Sequence, residues 1–420
     1  MLKGAELRPR LRCVLAAAAA TFLAAAPAAM AQSGAIIQQA RATGETASGP
    51  PTAPDSIGAY PKLGLETIAN LEFGGVTADS GPGRGPDARL WVDSTFLAQL
   101  NDSLSIDGLF QFKPRRPLSA SDPNNQLFIN QAPGRQEGGK MKELYVRYGD
   151  YRFGKFVQDF GRAYALLPGF QAQDLVAESE QGYEPTEMLG AEWIHVFKDE
   201  DGGWRQLSVS SFMVDRTVLH ESFPYNEGII HYKDGGVGNT RGPENVMVTW
   251  DVLNKPVGHW GHLNYQASAI RWGKTYGAQR GELWTTLGAD LSMPVHGSVA
   301  DTLRGRYSQL RVYVEGARRD NYEGVPGRVR QFLSASAEYM DGPWVWDLST
   351  TQRWTTDRRN PLQKDELYTA SFGYALPSRT VVGFSAGRET VAGRSGAYFG
   401  LRMTQTLTTC SMCLARASYY

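Results

Sequence analysis

The chain has 420 residues, with 43 Lys+Arg balanced by 43 Asp+Glu, 11% aromatic residues and three cysteines. A neutral chain gives no bulk attraction to nucleic acid, and so few cysteines make no disulfide framework. Beyond the N-terminal leader no stretch of about 18 consecutive apolar residues occurs, which excludes membrane-spanning helices.

The leader itself is informative. Lys3, Arg8, Arg10 and Arg12 precede the apolar run Cys13–Ala26, and Ala29-Met30-Ala31 forms a small-residue cleavage site before Gln32. That order predicts a secretory signal over 1–31, removed on export. The mature chain then carries 39 basic and 42 acidic residues, a net charge of −3, and keeps only Cys410 and Cys413. Residues 32–60, rich in Gly, Ala, Ser, Thr and Pro, read as a flexible periplasmic lead segment, and 61–420 as one domain.

From Lys62 onward the dominant period is two. In Ala88–Leu100, Leu90, Val92, Phe96 and Leu100 share one face, and Arg89, Asp93, Thr95 and Gln99 the other. Leu104–Lys113 sets Leu104, Ile106, Phe110 and Phe112 against Ser105, Asp107, Gln111 and Lys113. Gly261–Ile270 and Trp344–Arg353 repeat the pattern. One face apolar and one polar is the mark of a half-buried strand.

Sixteen strands are predicted, near 62–73, 87–100, 104–113, 141–148, 151–156, 188–198, 204–214, 245–252, 260–272, 283–293, 302–315, 331–340, 344–354, 367–376, 380–390 and 397–406. Short connections, such as Gly149-Asp150 and Asp341-Gly342-Pro343, follow the even-numbered strands; the longest follow strands 3, 5 and 7. Short turns at one end and long loops at the other predict an all-β fold: a transmembrane antiparallel β-barrel of about 16 strands, both ends periplasmic. Such a sheet must close, because an open edge leaves backbone groups unpaired in hydrocarbon. Trp204, Trp260 and Trp344, each just after a short turn, are expected in an aromatic girdle. Loops 114–140 and 215–244 are long enough to hide a further hairpin, so eighteen strands stay open. An exported β-sandwich alternates in the same way, and solubility without detergent distinguishes it.

The stretch "ELYVRYGDYRFGKFVQDFGRAYALLPGF", from Glu143 to Phe170, pairs the tightest hairpin with a long segment lacking strand pattern. Here the sequence resembles Gram-negative outer-membrane porins, with "FGKF…FG" similar to phosphate-selective porin relatives. The resemblance covers roughly residues 60–406. It implies that the loop after strand five, near 157–187, folds inward as a constriction and that small hydrophilic solutes and ions diffuse through passively. It also implies contact with outer-membrane lipid, lipopolysaccharide and the barrel-assembly machinery, and it leaves homotrimer and monomer both open. A non-conducting or enzymatic outer-membrane barrel is the alternative.

The predicted constriction carries Asp159, Asp174, Glu178, Glu180, Glu184 and Glu187 against the single Arg162. Basic side chains on inward strand phases are Arg89, Arg147, Arg152, Arg311, Arg353 and Arg402. Loop carboxylates facing wall arginines would set a field across the opening, a general device for solute selectivity. An acidic loop departs from the basic constriction of a phosphate-selective channel, so that specificity is not carried over. Tyr420 supplies the terminal aromatic residue porins commonly show, yet "CSMCLARASYY" alternates poorly.

Other signals are weaker. His259 and His262 stand in an H-x-x-H spacing without grouped Glu or Cys ligands, and read as turn residues rather than a metal site. Cys410-Ser-Met-Cys413 lacks a thioredoxin-like context and reads as a local disulfide or two free thiols. Arg318-Arg319 and Arg358-Arg359 are expected in external loops. No G-x-S-x-G, Walker or dinucleotide fingerprint occurs, so no enzyme activity, cofactor or metal is expected.

Overall fold

The computed structural model describes residues 61–78, 87–112, 139–167, 183, 185, 187–200, 203–221, 229–258, 260–296, 308–357, 363–376, 378–391 and 393–410. The predicted signal and lead segments over 1–60 lie outside these residues, as do His259, Arg358-Arg359, Cys413 and Tyr420.

Sixteen strands form one closed antiparallel barrel in which each pairs with its sequence neighbours and the last pairs with the first. The first eight are β1 (Lys62–Ala78), β2 (Asp87–Gln99), β3 (Leu104–Phe112), β4 (Gly139–Tyr148), β5 (Tyr151–Phe156), β6 (Met188–Lys198), β7 (Trp204–Val214) and β8 (Asn245–Pro256). The others are β9 (His262–Arg271), β10 (Leu283–His296), β11 (Ser308–Asp320), β12 (Val329–Asp341), β13 (Trp344–Thr356), β14 (Gln363–Leu376), β15 (Thr380–Val391) and β16 (Arg394–Cys410). Closure runs from Gly64 opposite Cys410 to Ala78 opposite Gly396. No sheet edge is left to satisfy.

Alternation decides which way each side chain points. On β13, Trp344, Trp346 and Leu348 are exposed on the outside, while Asp347, Ser349, Thr351 and Arg353 are buried on the inside. On β11, Val312 and Val314 point out and Arg311, Tyr313 and Glu315 point in. Phe153, Leu287, Phe384 and Phe399 continue the apolar exterior around the wall. Large apolar residues outside and charges inside invert a water-soluble sandwich and match a barrel solvated by lipid. The tight turn after β4 works because Gly149 takes a φ of 54°, which a side chain would disfavour.

The structure moves several predicted boundaries. β1, β14 and β16 are longer than predicted, and β16 runs on as far as Cys410. The barrel closes at sixteen strands, and the described part of 215–244 holds short 3-10 turns rather than a hairpin. Trp260 and Trp344 are 60% and 39% exposed, but Trp204 stands in phase with the buried Gln206 and Ser208. Alternation therefore aims it inward, and the turn-end aromatics on the neighbouring outer wall are Tyr148 and Tyr151. Arg318 and Arg319 belong to β11 rather than a loop: Arg318 pairs with Asp320 on the outside and Arg319 is buried inside.

Candidate functional site

β5 has only six residues, and after it the chain leaves the wall. Phe156, fully buried, stands edge-on to Tyr145 at 6.1 Å and marks the departure. The segment turns at Gly161, whose φ is 75° and where a Cβ would come within 2.8 Å of a Glu315 oxygen. Only glycine allows that approach. A helical turn, α1 (Ala163–Leu166), follows, and the return closes at Glu187, directly before β6.

A set of carboxylates on the wall holds the segment. The Arg162 guanidinium donates to Asp251 on β8 at 3.1 Å and to Asp290 on β10 at 3.4 Å. Asp290 also accepts from Asn264 at 2.8 Å and faces Arg311 at 3.5 Å. Glu315 accepts the backbone N–H of Arg162 at 2.6 Å, that of Ala163 at 3.3 Å, and the Tyr183 hydroxyl at 2.6 Å. Its side chain lies across Gly288 in the next strand, where a Cβ would stand 2.7 Å from its Oε2. Thr249 donates to the Asp159 carbonyl and Ser210 to the Gln158 side chain. Buried charges survive only when paired and hydrogen-bonded in this way.

An apolar seat completes the attachment. Met247, Ile270 and Trp284 stand in direct register on β8, β9 and β10, all inward and fully buried. One step along, Ser208, Thr249, Ser268 and Thr286 form a register row of small hydroxyl residues that leaves room for the loop. Phe160, Leu167 and Tyr183 pack into this seat, with Phe160 6.0 Å from Trp284 and Tyr183 4.9 Å from Phe332. Burying each large apolar side chain contributes about 1.5–3 kcal/mol.

The far end of the segment is fixed by ions. Glu187 lies 2.7 Å from Lys140 and Lys142 on β4, 3.4 Å from Lys155 on β5 and 3.3 Å from His220. Lys155 also contacts Asp215 at 3.0 Å. Lys142 is the extra residue of a β-bulge in β4, which brings two lysines of one strand to the same carboxylate. Burial alone would raise the Glu187 pKa, but Lys140 and Lys142 outweigh it and hold the carboxyl well below the usual carboxylate range. The cluster bridges β4 to the end of β7, across the stretch where β5 and β6 have ended.

The predicted residues thus divide. Asp159, Arg162 and Glu187 lie on the inward segment; Asp174, Glu178, Glu180 and Glu184 lie outside the described residues. Glu187 faces lysines rather than arginines, and Arg162 faces carboxylates, the reverse of the expected polarity at that point. Arg152 is buried against Glu192, Arg311 against Asp290, and Arg353 against Asp365 at 2.8 Å. Arg147 is partly exposed on the inward phase of β4, Arg89 stands opposite Glu72 in register, and Arg402 stands opposite Glu72 from the other side. Unforeseen were Asp251, Asp290, Glu315 and the three lysines. A signal for the seat was present: Phe212, Met247, Ile270 and Trp284 break the polar-inside alternation near the long loops.

No family model matches the sequence, and no curated protein is detectably similar to it. Among solved structures, Pseudomonas putida OprB at high pH is similar with a TM-score of 0.54 and 11% identity, over 82% of this chain and 94% of that one. Salmonella typhi OmpF in complex with daunomycin is similar with a TM-score of 0.51 and 11% identity, over 83% and 98%. At such identity the likeness speaks for architecture alone, and that architecture is the closed antiparallel barrel of the outer-membrane porins.

Proposed function

We propose that the chain is an outer-membrane porin through which small hydrophilic solutes and ions diffuse passively, with the segment 157–187 as its constriction. One observation carries the reading: a charged segment leaves the wall at β5 and is held inside the barrel by Asp251, Asp290 and Glu315. A barrel with a polar interior offers solutes a replacement for bulk water, and a loop fixed inside it filters them by size and charge. The work is physical rather than catalytic. Export through a cleaved signal over 1–31, a periplasmic lead over 32–60, contact with lipopolysaccharide and assembly by the barrel-assembly machinery belong to the same proposal, with trimer or monomer left to measurement.

The test is electrical. The mature chain, refolded in detergent and added to a planar bilayer, is expected to give discrete, stable conductance steps. A folded protein that inserts without conducting overturns the porin reading in favour of a plugged or enzymatic barrel.

A further inference from the structure

The connection from β9 to β10 is a narrow hairpin. The Trp272 N–H donates to the Glu282 carbonyl at 2.9 Å, and a Cβ on Gly281 would stand 3.4 Å from the Gly273 carbonyl carbon. Arg271, Lys274 and Arg280 lie along this hairpin, and all three are exposed. The chain just before β8 packs beside it: the Gly273 N–H donates to the Asn245 side chain at 2.9 Å, and a Cβ on Gly273 would meet Thr240 at 2.7 Å. Arg241, also exposed, belongs to that neighbouring stretch. Its guanidinium lies 5.3 Å from the Tyr232 ring, and Tyr232 is edge-on to Tyr276 of the hairpin at 5.9 Å. Four cations are thus gathered at the end of the barrel that bears the long loops.

Their charge is not answered locally. Further round the same end of the outer wall, cations have carboxylates of their own: Arg318 pairs with Asp320 and Lys364 with Glu366. Arg241, Arg271, Lys274 and Arg280 form no ion pair among the described residues. Glu282 at the foot of the hairpin is taken by the buried Arg319 at 3.1 Å. The acid nearest the hairpin is Glu244, whose Cβ would lie 3.3 Å from a Cβ on Gly273. Arg271 also has a fixed direction. Ile270 is fully buried on the inside, so alternation sends Arg271 to the outside of β9. There Val246 on β8 and Leu283 on β10 flank it in direct register, both exposed, and Val248 and Leu287 continue the apolar wall beneath.

We infer that this patch holds the phosphate of an anionic lipid headgroup, whose acyl chains lie on the apolar wall below Arg271. The inference rests on the outer-membrane reading and deepens it by naming where on the barrel, and by which groups, a lipid is held. The outward phase of Arg271 decides between a lipid and a passing solute, because a solute in the lumen never meets the outer wall. A long side chain at the edge of the apolar band carries its charge up to headgroup level. A guanidinium presents two parallel N–H groups to one phosphate, which fixes orientation as well as charge. Each cation near an anionic lipid surface raises affinity by about fivefold.

The experiment is native mass spectrometry of the refolded mature chain in neutral detergent, titrated with diphosphorylated lipid A. The wild type is expected to retain it and to lose it when the phosphates have been removed from the lipid. Arg271→Gln/Lys274→Gln is expected to weaken retention by about twentyfold or more, at about fivefold for each cation. Arg241→Gln/Arg280→Gln serves as the test should the first variant fail to fold. Arg318→Gln, whose cation is already held by Asp320, is expected to change little. Equal retention by the wild type and both double variants, or an equal loss in Arg318→Gln, overturns the inference. Displacement of lipid A by an equal concentration of inorganic phosphate assigns the patch to free phosphate and overturns it too. Conductance in a planar bilayer is read separately: a wild type that retains lipid A and never conducts removes the porin reading and leaves this inference standing.

Discussion

Arg162 Nη2 lies 3.1 Å from Asp251 Oδ1, a pairing that ties the inward segment to a wall strand 89 positions away in sequence. Asp290 engages the same guanidinium from β10, so one cation is shared by two buried carboxylates. Removing it takes the cation from Asp251 and leaves Asp290 with Arg311 and Asn264. Arg162→Met is expected to destabilise the folded barrel by about 3–5 kcal/mol, the cost of breaking a buried pair from one side. Adding Asp251→Asn to that variant should recover part of the loss, because the stranded carboxylate is then gone. Denaturant unfolding in detergent micelles measures both steps. A double variant less stable than Arg162→Met would argue that Asp251 acts through something other than this cation.

Glu315 and Tyr183 form the second tie. The Tyr183 hydroxyl and two backbone N–H groups converge on one carboxylate, so Glu315→Gln removes an acceptor that they share. A buried donor left without its partner costs about 1–3 kcal/mol. Tyr183→Phe loses the same hydroxyl bond from the other side. The double variant is expected to lose less than the sum of the singles, with a coupling of about 0.5–3 kcal/mol. Strict additivity in a double-mutant cycle would mean that the bond at 2.6 Å carries no energy of its own.

The barrel was legible because alternation and turn length are local signals. Trp344, Trp346 and Leu348 against Asp347, Ser349 and Arg353 announce a face-divided strand without reference to any neighbour. The holding site was not legible in the same way. Asp251, Asp290 and Glu315 look like any inward polar residue in their strands, and only the closed register brings them to one loop. Wall arginines were read as free to face solute because alternation reports direction and says nothing of cross-strand neighbours. Asp365 opposite Arg353 in register removes that freedom. Trp204 failed for a simpler reason: proximity to a turn was used in place of phase.

Glu187 predicts how the fold responds to acid. Its folded-state pKa is held well below the ordinary value of 4.5 by Lys140 and Lys142 against the opposing effect of burial. A depressed carboxyl contributes stability that is fully present above its unfolded pKa and lost as pH falls through the folded one. The difference in unfolding free energy between the wild type and Glu187→Gln should therefore be constant above about pH 5 and shrink progressively below about pH 4. Unfolding measured at pH 7, 5, 4 and 3 follows it. A difference that grows in acid would assign the ionic anchor to a group other than this carboxylate.

The two faces of the barrel wall should answer differently to the same charge. Leu348 is 64% exposed on the outer face of β13, among Trp346 and Phe372, where the wall meets hydrocarbon. An arginine there is expected to cost about 2–4 kcal/mol near the bilayer midplane. Thr95 on β2 points the other way, partly exposed and opposite Glu66 in register. Arginine at that position meets water and a carboxylate, so Thr95→Arg should cost no more than about 1 kcal/mol, the scale of a solvated ion pair. Its effect should fall instead on ion selectivity, moving it towards anions. Urea titration of folding into lipid vesicles compares the stabilities, and reversal potentials compare the currents. Equal destabilisation by the two substitutions would mean that lipid does not distinguish the faces, and the inside-out pattern would lose its physical basis.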